Sequence, residues 1–329
     1  MKKSLLLLGV AVAAITSCTN DEVLEMNPQT TISFDGHVNK STRAVTETTS
    51  ALSEFYVFGE KGADENYGTS VFNNVAATDE AATSQVWTRS MYSFGAYATK
   101  NVSGLCNNAA FDAKNGKLTF TNYTVDDTED LVAAVVKVNN TNGDKQQTVD
   151  LQFKHLLSQV MFEIENGIDN YSMKVTNITL KNVATKGTCE FDGAASWTPA
   201  NDVNNKVFAQ YWDGATSSYK AINGLSLAKN ESVKTEAFFV IPNQVFTPAS
   251  PAKPIVADIT VEFWDGAVQV STNQFENVSV VLPSDAKWTA GYKYVYSAKV
   301  ADANTEYITF NVKTVDTWND GTTSDVTLN

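Results

Sequence analysis

Val149-Asp150-Leu151-Gln152-Phe153-Lys154-His155-Leu156-Leu157-Ser158-Gln159-Val160-Met161-Phe162-Glu163-Ile164 holds two strand patterns that are out of step. Val149, Leu151 and Phe153 share one parity, and Val160, Phe162 and Ile164 share the other. Side chains of a strand alternate between its two faces, so apolar residues at every second position mark a strand with one buried face. The phase changes around His155-Leu156-Leu157, which predicts a bulge or one helical turn there. His155 at the switch reads as a structural histidine bonded to backbone, because the sequence identifies no partner acid or nucleophile.

The same period runs through the rest of the chain. In Ala257–Trp264, Ile259, Val261 and Phe263 alternate with Asp258, Thr260 and Glu262; Tyr292, Tyr294 and Tyr296 share one face; Ile308, Phe310 and Val312 alternate with Tyr307, Thr309, Asn311 and Lys313. No stretch keeps a helical period over three turns. Asn115-Gly116, Asn142-Gly143, Asp192-Gly193, Asp213-Gly214, Asn223-Gly224 and Asp265-Gly266 punctuate at strand-like spacing and suit tight hairpins. Many short strands with frequent turns predict an all-β, antiparallel sandwich rather than a βαβ design. The polar stretch 139–148 is the natural place for a boundary, which divides the chain into an N-terminal unit, 30–145, and a C-terminal unit, 146–329.

The N-terminus reads as an address. Met1-Lys2-Lys3, an apolar run from Leu5 to Ile15 and the small residues Thr16-Ser17 make a secretory signal over residues 1–17. The run is roughly a dozen residues, short of the ~20 that a transmembrane helix takes. Ile15-Thr16-Ser17-Cys18 resembles the lipobox of bacterial lipoproteins, which implies that Cys18 is diacylated and becomes the new N-terminus. The alternative is plain secretion with an incidental cysteine. Residues 18–29 form the tether behind it. Its acidic Asp21-Glu22 looks like the export signal of Bacteroidetes surface lipoproteins, or is a solvated acidic tether.

Composition excludes more than it assigns. The net charge of −13 deepens once Lys2 and Lys3 leave, which argues against nucleic acid or anionic lipid as a partner. Beyond Cys18 only Cys106 and Cys189 remain, so this is not a disulfide-built scaffold. Two histidines, His37 and His155, leave little room for a triad or a zinc site, and no Gly-x-Ser-x-Gly elbow, phosphate loop or His-Glu-x-x-His is present. The run Asp126-Asp127-Thr128-Glu129-Asp130 lacks the spacing and turn glycine of a calcium loop and reads as a solvated loop. Trp87, Trp197, Trp212, Trp264, Trp288 and Trp318 could line a sugar site, although tryptophans more often fill a sandwich core. Neither an enzyme nor a cofactor is expected.

Several segments in series resemble the Bacteroidetes fimbrillin family, the subunits of type V pili, and their lipoprotein relatives. They are Ile32-Ser33-Phe34 with Lys40-Ser41-Thr42-Arg43-Ala44; Leu52–Gly59; Tyr92–Tyr97; Asp130–Ala134; Phe153–Val160; Trp288–Tyr294; and Val315-Asp316-Thr317-Trp318-Asn319-Asp320. The resemblance implies two tandem transthyretin-like β-sandwich domains and assembly by proteolysis-triggered strand exchange. A protease would cut after Arg43, making Ala44 the first residue. The strand Thr30–Val38, with Ile32, Phe34 and Val38 on its apolar face, would leave, and a neighbouring subunit would supply a replacement. Partners would be other fimbrial subunits, the outer-membrane lipid through Cys18 in the precursor, and a host protein or glycan as the adhesion target. The location would be the outer membrane surface, and the fimbria after processing. One departure is the short end: only nine residues, Gly321–Asn329, follow the Trp318 segment; Val326 and Leu328 alternate there as a short donor could, or the donor instead includes Tyr307–Val315. The alternative is a tip, an anchor or a monomeric surface lipoprotein.

Overall fold

Strands rich in Val, Ile, Thr, Tyr and Phe need pairing along their edges and cover for at least one face. The computed structural model satisfies both needs with five sheets among the residues it describes, which are 30–38, 50–52, 54–77, 84–99, 106–126, 129–143, 148–244, 254–279, 287–301, 308 and 310–317. The largest sheet has the order β2-β1-β9-β8-β5-β3-β4. Its strands are β1 (Phe34–Val38), β2 (Ser50–Ala51), β3 (Tyr56–Gly62), β4 (Thr69–Ala76), β5 (Met91–Thr99), β8 (Leu131–Asn139) and β9 (Val149–His155). A smaller sheet joins β6 (Ala109–Asp112) and β7 (Lys117–Thr124) to β12 (Lys186–Phe191) and β13 (Ala195–Pro199). A third contains β10 (Ser158–Asn166), β17 (Ser232–Lys234), β18 (Phe238–Val240), β21 (Tyr292–Val300) and β22 (Asn311–Thr317). The fourth runs β14 (Val203–Val207), β11 (Ser172–Ala184), β19 (Val256–Asp265), β20 (Val268–Ser279); β15 (Gln210–Asp213) and β16 (Ser218–Ala221) form a separate hairpin. The one helical element among these residues is a single 3-10 turn, Ile222–Gly224, so the all-β expectation holds. That turn takes Asn223-Gly224, whereas Asn115-Gly116 and Asp265-Gly266 make the hairpin turns β6–β7 and β19–β20 with glycine φ of 63° and 57°.

Most pairings are antiparallel; two are parallel. β1 runs beside β9, from Phe34 opposite Val149 to Val38 opposite Phe153, and β10 beside β21, from Gln159 opposite Lys293 to Asn166 opposite Val300. Partners of a parallel pair must be separated by a long crossover, and here the intervening strands supply it.

Three apolar clusters hold the sheets together, and the stretch Val149–Ile164 passes through all of them. Val149, Leu151 and Phe153 lie in a cluster on one face of the seven-stranded sheet, with Val57, Phe94 and Val132. Leu156 and Leu157 lie in a cluster on its other face, with Tyr97, Leu118, Phe120, Cys189 and Trp197. Val160, Phe162 and Ile164 join the core between the third and fourth sheets, with Ile178, Ile259, Val261, Phe263 and Tyr296. The phase change is therefore neither the expected bulge nor a helical turn. It is a two-residue passage in which the chain leaves one sheet for another between His155 and Ser158. The 145/146 division lies just ahead of β9, which hydrogen bonds with β1 and β8; sheet membership changes at Leu156-Leu157.

The passage also gives His155 a side-chain partner. Its Nδ1 hydrogen bonds with Asp130 Oδ2, and both side chains are buried. Asp130 accordingly departs from the solvated loop expected for the acidic run: it turns inward because an imidazole waits there. A buried carboxylate without such a partner would be very costly.

Candidate strand-exchange groove

Ile32, Phe34, Gly36 and Val38 fall on one face of the first strand, and Asp35 and His37 on the other, where they pair at 2.8 Å. The inward face is well seated. Ile32 and Val38 are each 1% exposed. The Phe34 ring meets Phe55, Phe72 and Phe94 edge-on at centroid distances of 6.4, 5.3 and 5.4 Å. Burying each such side chain contributes about 1.5–3 kcal/mol. Gly36 has a steric reason: a Cβ there would sit 3.0 Å from the rings of both Phe153 and Phe55, which pack together at 5.3 Å.

The backbone is held less evenly. Ahead of β1, Ile32 N–H donates to Gln85 O at 2.7 Å and Trp87 N–H to Thr30 O at 3.0 Å. On one side Val149 N–H donates to Ser33 O at 2.8 Å and the parallel ladder to β9 follows. On the other side β2 pairs only at His37 and Val38, and Leu52 N–H donates to Gly36 O at 3.0 Å. β9 in turn pairs with β8 only at Lys154 and His155. Along Val149–Phe153, β1 is thus its paired strand. Loss of β1 would open a groove floored by Phe55, Phe72, Phe94 and Phe153 and edged by β9.

The structure brings Ile32, Phe34 and Val38 together in one apolar cluster. Cys18, Arg43 and Ala44 lie outside the described residues, as does the segment from 39 to 49 that would hold the cut. The family resemblance singled out the three apolar residues but not Gly36, whose place in the same parity was the available signal. It also missed Asp130 as the partner of His155, since nothing in spacing pairs residues so far apart.

Groups that could suggest other chemistry are accounted for. Cys106 and Cys189 are both free thiols; burial pushes Cys106 up to about 11 and Cys189 up to about 12, so neither is a ready nucleophile. Among the described residues no three His, Cys, Asp or Glu side chains gather as metal ligands. Trp87, Trp197 and Trp288 are buried, as expected of core tryptophans, whereas Trp212 is exposed.

A family model described as fimbrillin-like matches residues 42–327. No curated protein matches the chain in sequence. Among solved structures, the chain is similar to a fimbrial protein from Bacteroides vulgatus, with a TM-score of 0.58 and 17% identity, covering 88% of this chain and 99% of that one. It also matches a candidate cell adhesion protein from Bacteroides uniformis, with a TM-score of 0.46 and 13% identity over 89% of this chain and 99% of the other.

Proposed function

The chain belongs to the fimbrillin-like family, and from that premise we propose that it is a structural subunit of a cell-surface fimbria, serving adhesion and assembled by strand exchange. The role is structural rather than catalytic. The observation that carries the reading is β1: a short, apolar strand that completes a core, lies at the N-terminal end of the fold and precedes a polar stretch containing Arg43. The family match covers residues 42–327, and β1 lies just ahead of it.

In this reading Cys18 is lipidated and holds the precursor at the outer membrane. A protease cuts between Arg43 and Ala44, and the strand bearing Ile32, Phe34 and Val38 departs. Bare phenylalanine faces and an unpaired β9 edge then demand cover, and a strand from a neighbouring subunit supplies it.

The sequence holds a second version of β1. Ile32-Ser33-Phe34-Asp35-Gly36-His37-Val38 has its counterpart in Ile308-Thr309-Phe310-Asn311-Val312-Lys313-Thr314. The Ile and Phe are identical, Ser33, Asp35 and His37 meet residues of similar type, and the pairs Gly36–Val312 and Val38–Thr314 differ. Asn311–Thr314 belong to β22, which among the described residues stands at a sheet edge and pairs with β21. A segment that repeats the departing strand and stands at a sheet edge is a physically suited donor.

A second reading rests on a different observation. Phe310 is buried in this chain's own core, edge-on to Phe162 at 5.1 Å, and β22 is docked on its own β21. If that docking persists the subunit gives no donor, and it is a tip, an anchor or a monomeric surface lipoprotein that binds a glycan or host protein. Trypsin treatment of purified precursor separates the two. A polymerising subunit starts at Ala44 after cleavage and forms ladders that resist SDS; a product that stays monomeric after losing β1 defeats the shaft role.

A further inference from the structure

Trp212 and Tyr219 stand opposite each other on the β15–β16 hairpin, 53% and 52% exposed, with ring centroids 5.2 Å apart and planes at 71°. Single exposed apolar residues need no explanation. This pair stands instead on a hairpin that is fixed at its base, where Ala209 N–H and Gln210 N–H both donate to Glu236 Oε1, at 3.0 and 3.2 Å. Beside it opens a cleft of about 670 Å³, within the ~300–1,000 Å³ common for ligand sites. Tyr211 and Trp212 form its hairpin wall, Leu227 and Val233 give it an apolar side, and Glu163 and Glu231 line it with carboxylates. Both carboxylates are oriented before any ligand arrives. Ala228 N–H donates to Glu231 Oε2 at 2.8 Å, and Ser232 Oγ donates to Glu163 Oε1 at 3.1 Å.

We infer that this cleft binds an uncharged saccharide, with Trp212 as the stacking platform and Glu163 and Glu231 as acceptors for sugar hydroxyls. A pyranose ring has an apolar C–H face that packs on the negative face of an indole, and an equatorial rim of hydroxyls that donate to carboxylates. Fixed acceptors lower the ordering cost of binding. Charge sets the selectivity. Lys220 is paired to Asp213, which leaves the carboxylates of Glu163 and Glu231 against Lys234 along the cleft. An acidic sugar therefore meets net repulsion. The site lies on the elements β10, β15 and β17, away from β1, so it works in the uncleaved monomer whether or not strand exchange occurs.

The test uses the full, uncleaved protein labelled with 5-fluorotryptophan and followed by fluorine NMR, with the Trp212 resonance identified by its loss in Trp212→Phe. The probes are lactose, maltotriose, chitotriose, mannotriose and 3′-sialyllactose. At least one neutral probe should shift the Trp212 resonance and leave those of buried Trp197 and Trp288 in place. Trp212→Ala should weaken that binding about ten-fold or more, Glu231→Gln should weaken it too, and sialyllactose should bind less well than lactose. A Trp212 resonance that no neutral probe moves, binding that survives Trp212→Ala, or a preference for sialyllactose overturns the inference.

Discussion

His155 and Asp130 bond to each other inside the protein, with side-chain exposures of 1% and 0%. Removing one member of a buried pair leaves the other with its desolvation cost and less to offset it, which is typically worth about 3–5 kcal/mol. His155→Leu should therefore lower stability by that order in urea unfolding, while a surface change such as Asp35→Asn shifts it by less than ~1 kcal/mol. An equal effect of the two would remove the pair from its structural role. Thiols give a second prediction at this scale. Burial raises Cys189 from the ordinary 9.0 to about 12 and Cys106 to about 11, and it likewise raises the phenols of Tyr97, Tyr123 and Tyr296. A group whose folded pKa lies above its unfolded value adds stability that is whole below the unfolded value and lost as pH climbs toward the folded one. The urea midpoint should accordingly begin to fall above pH 9 and decline further by pH 11. At pH 8 both thiols are protonated, so iodoacetamide should label Cys189 only after unfolding; rapid labelling of the native protein would contradict its burial.

Among the strands, β1 offers the sharpest test, because its register has one tight position. A Cβ at residue 36 presses on Phe55 and Phe153 at 3.0 Å. Gly36→Val adds more than a Cβ and should destabilise the intact protein by about 1–3 kcal/mol, the usual cost of overpacking. The converse change belongs to the donor. Val312 would occupy that position if Ile308–Thr314 replaced β1, so Val312→Gly should raise the yield or rate of SDS-resistant ladders after cleavage, and no change would place the donor elsewhere. The legibility of the elements follows from burial. β19 was readable because one face is covered: Ile259, Val261 and Phe263 are buried and Asp258, Thr260 and Glu262 are not. β1 has the same one-sided burial, with Ile32, Gly36 and Val38 buried and Asp35 exposed, but it was singled out by the family resemblance. β5 gave no alternation, because the seven-stranded sheet is covered on both faces. Tyr92, Phe94, Ala96 and Ala98 enter one cluster, Tyr97 enters the other, Ser93 is buried, and Gly95 lies where a Cβ would meet the Phe111 ring at 2.6 Å. Trp212 was one of six tryptophans that could line a sugar site, and its setting in Trp212-Asp213-Gly214 is repeated at Trp264-Asp265-Gly266, yet Trp264 serves otherwise: it lies under Lys174 at 4.1 Å. Only three-dimensional placement separates the two uses.

At the scale of the whole molecule, the question is whether the chain splits at the polar stretch 139–148. Length and composition favour two units, and that stretch is where a linker would lie. Hydrogen bonding joins what the sequence separates. β12 and β13, from residues 186–199, complete a sheet with β6 and β7, from residues 109–124. Cys189 faces Phe120 across that ladder, and Trp197 Nε1–H donates to Leu156 O at 2.6 Å. The cluster beneath it mixes Tyr97, Leu118 and Phe120 with Leu156, Phe191 and Trp197. β9 also stays with the sheet of β1 and β8. A fragment ending at residue 145 would therefore lack β9, leave one face of the seven-stranded sheet uncovered and leave β7 unpaired along one edge, a set of exposures that favours aggregation. Expressed alone, residues 30–145 should be insoluble or should bind ANS strongly, and adding residues 146–199 should restore solubility. The full chain should melt in a single calorimetric transition, because the shared sheet couples the two sides of the junction. Two well-separated transitions, or a soluble, cooperatively folded 30–145 fragment, would mean that the shared sheet is only a docking contact. The division would then lie at the polar stretch and not at Leu156-Leu157.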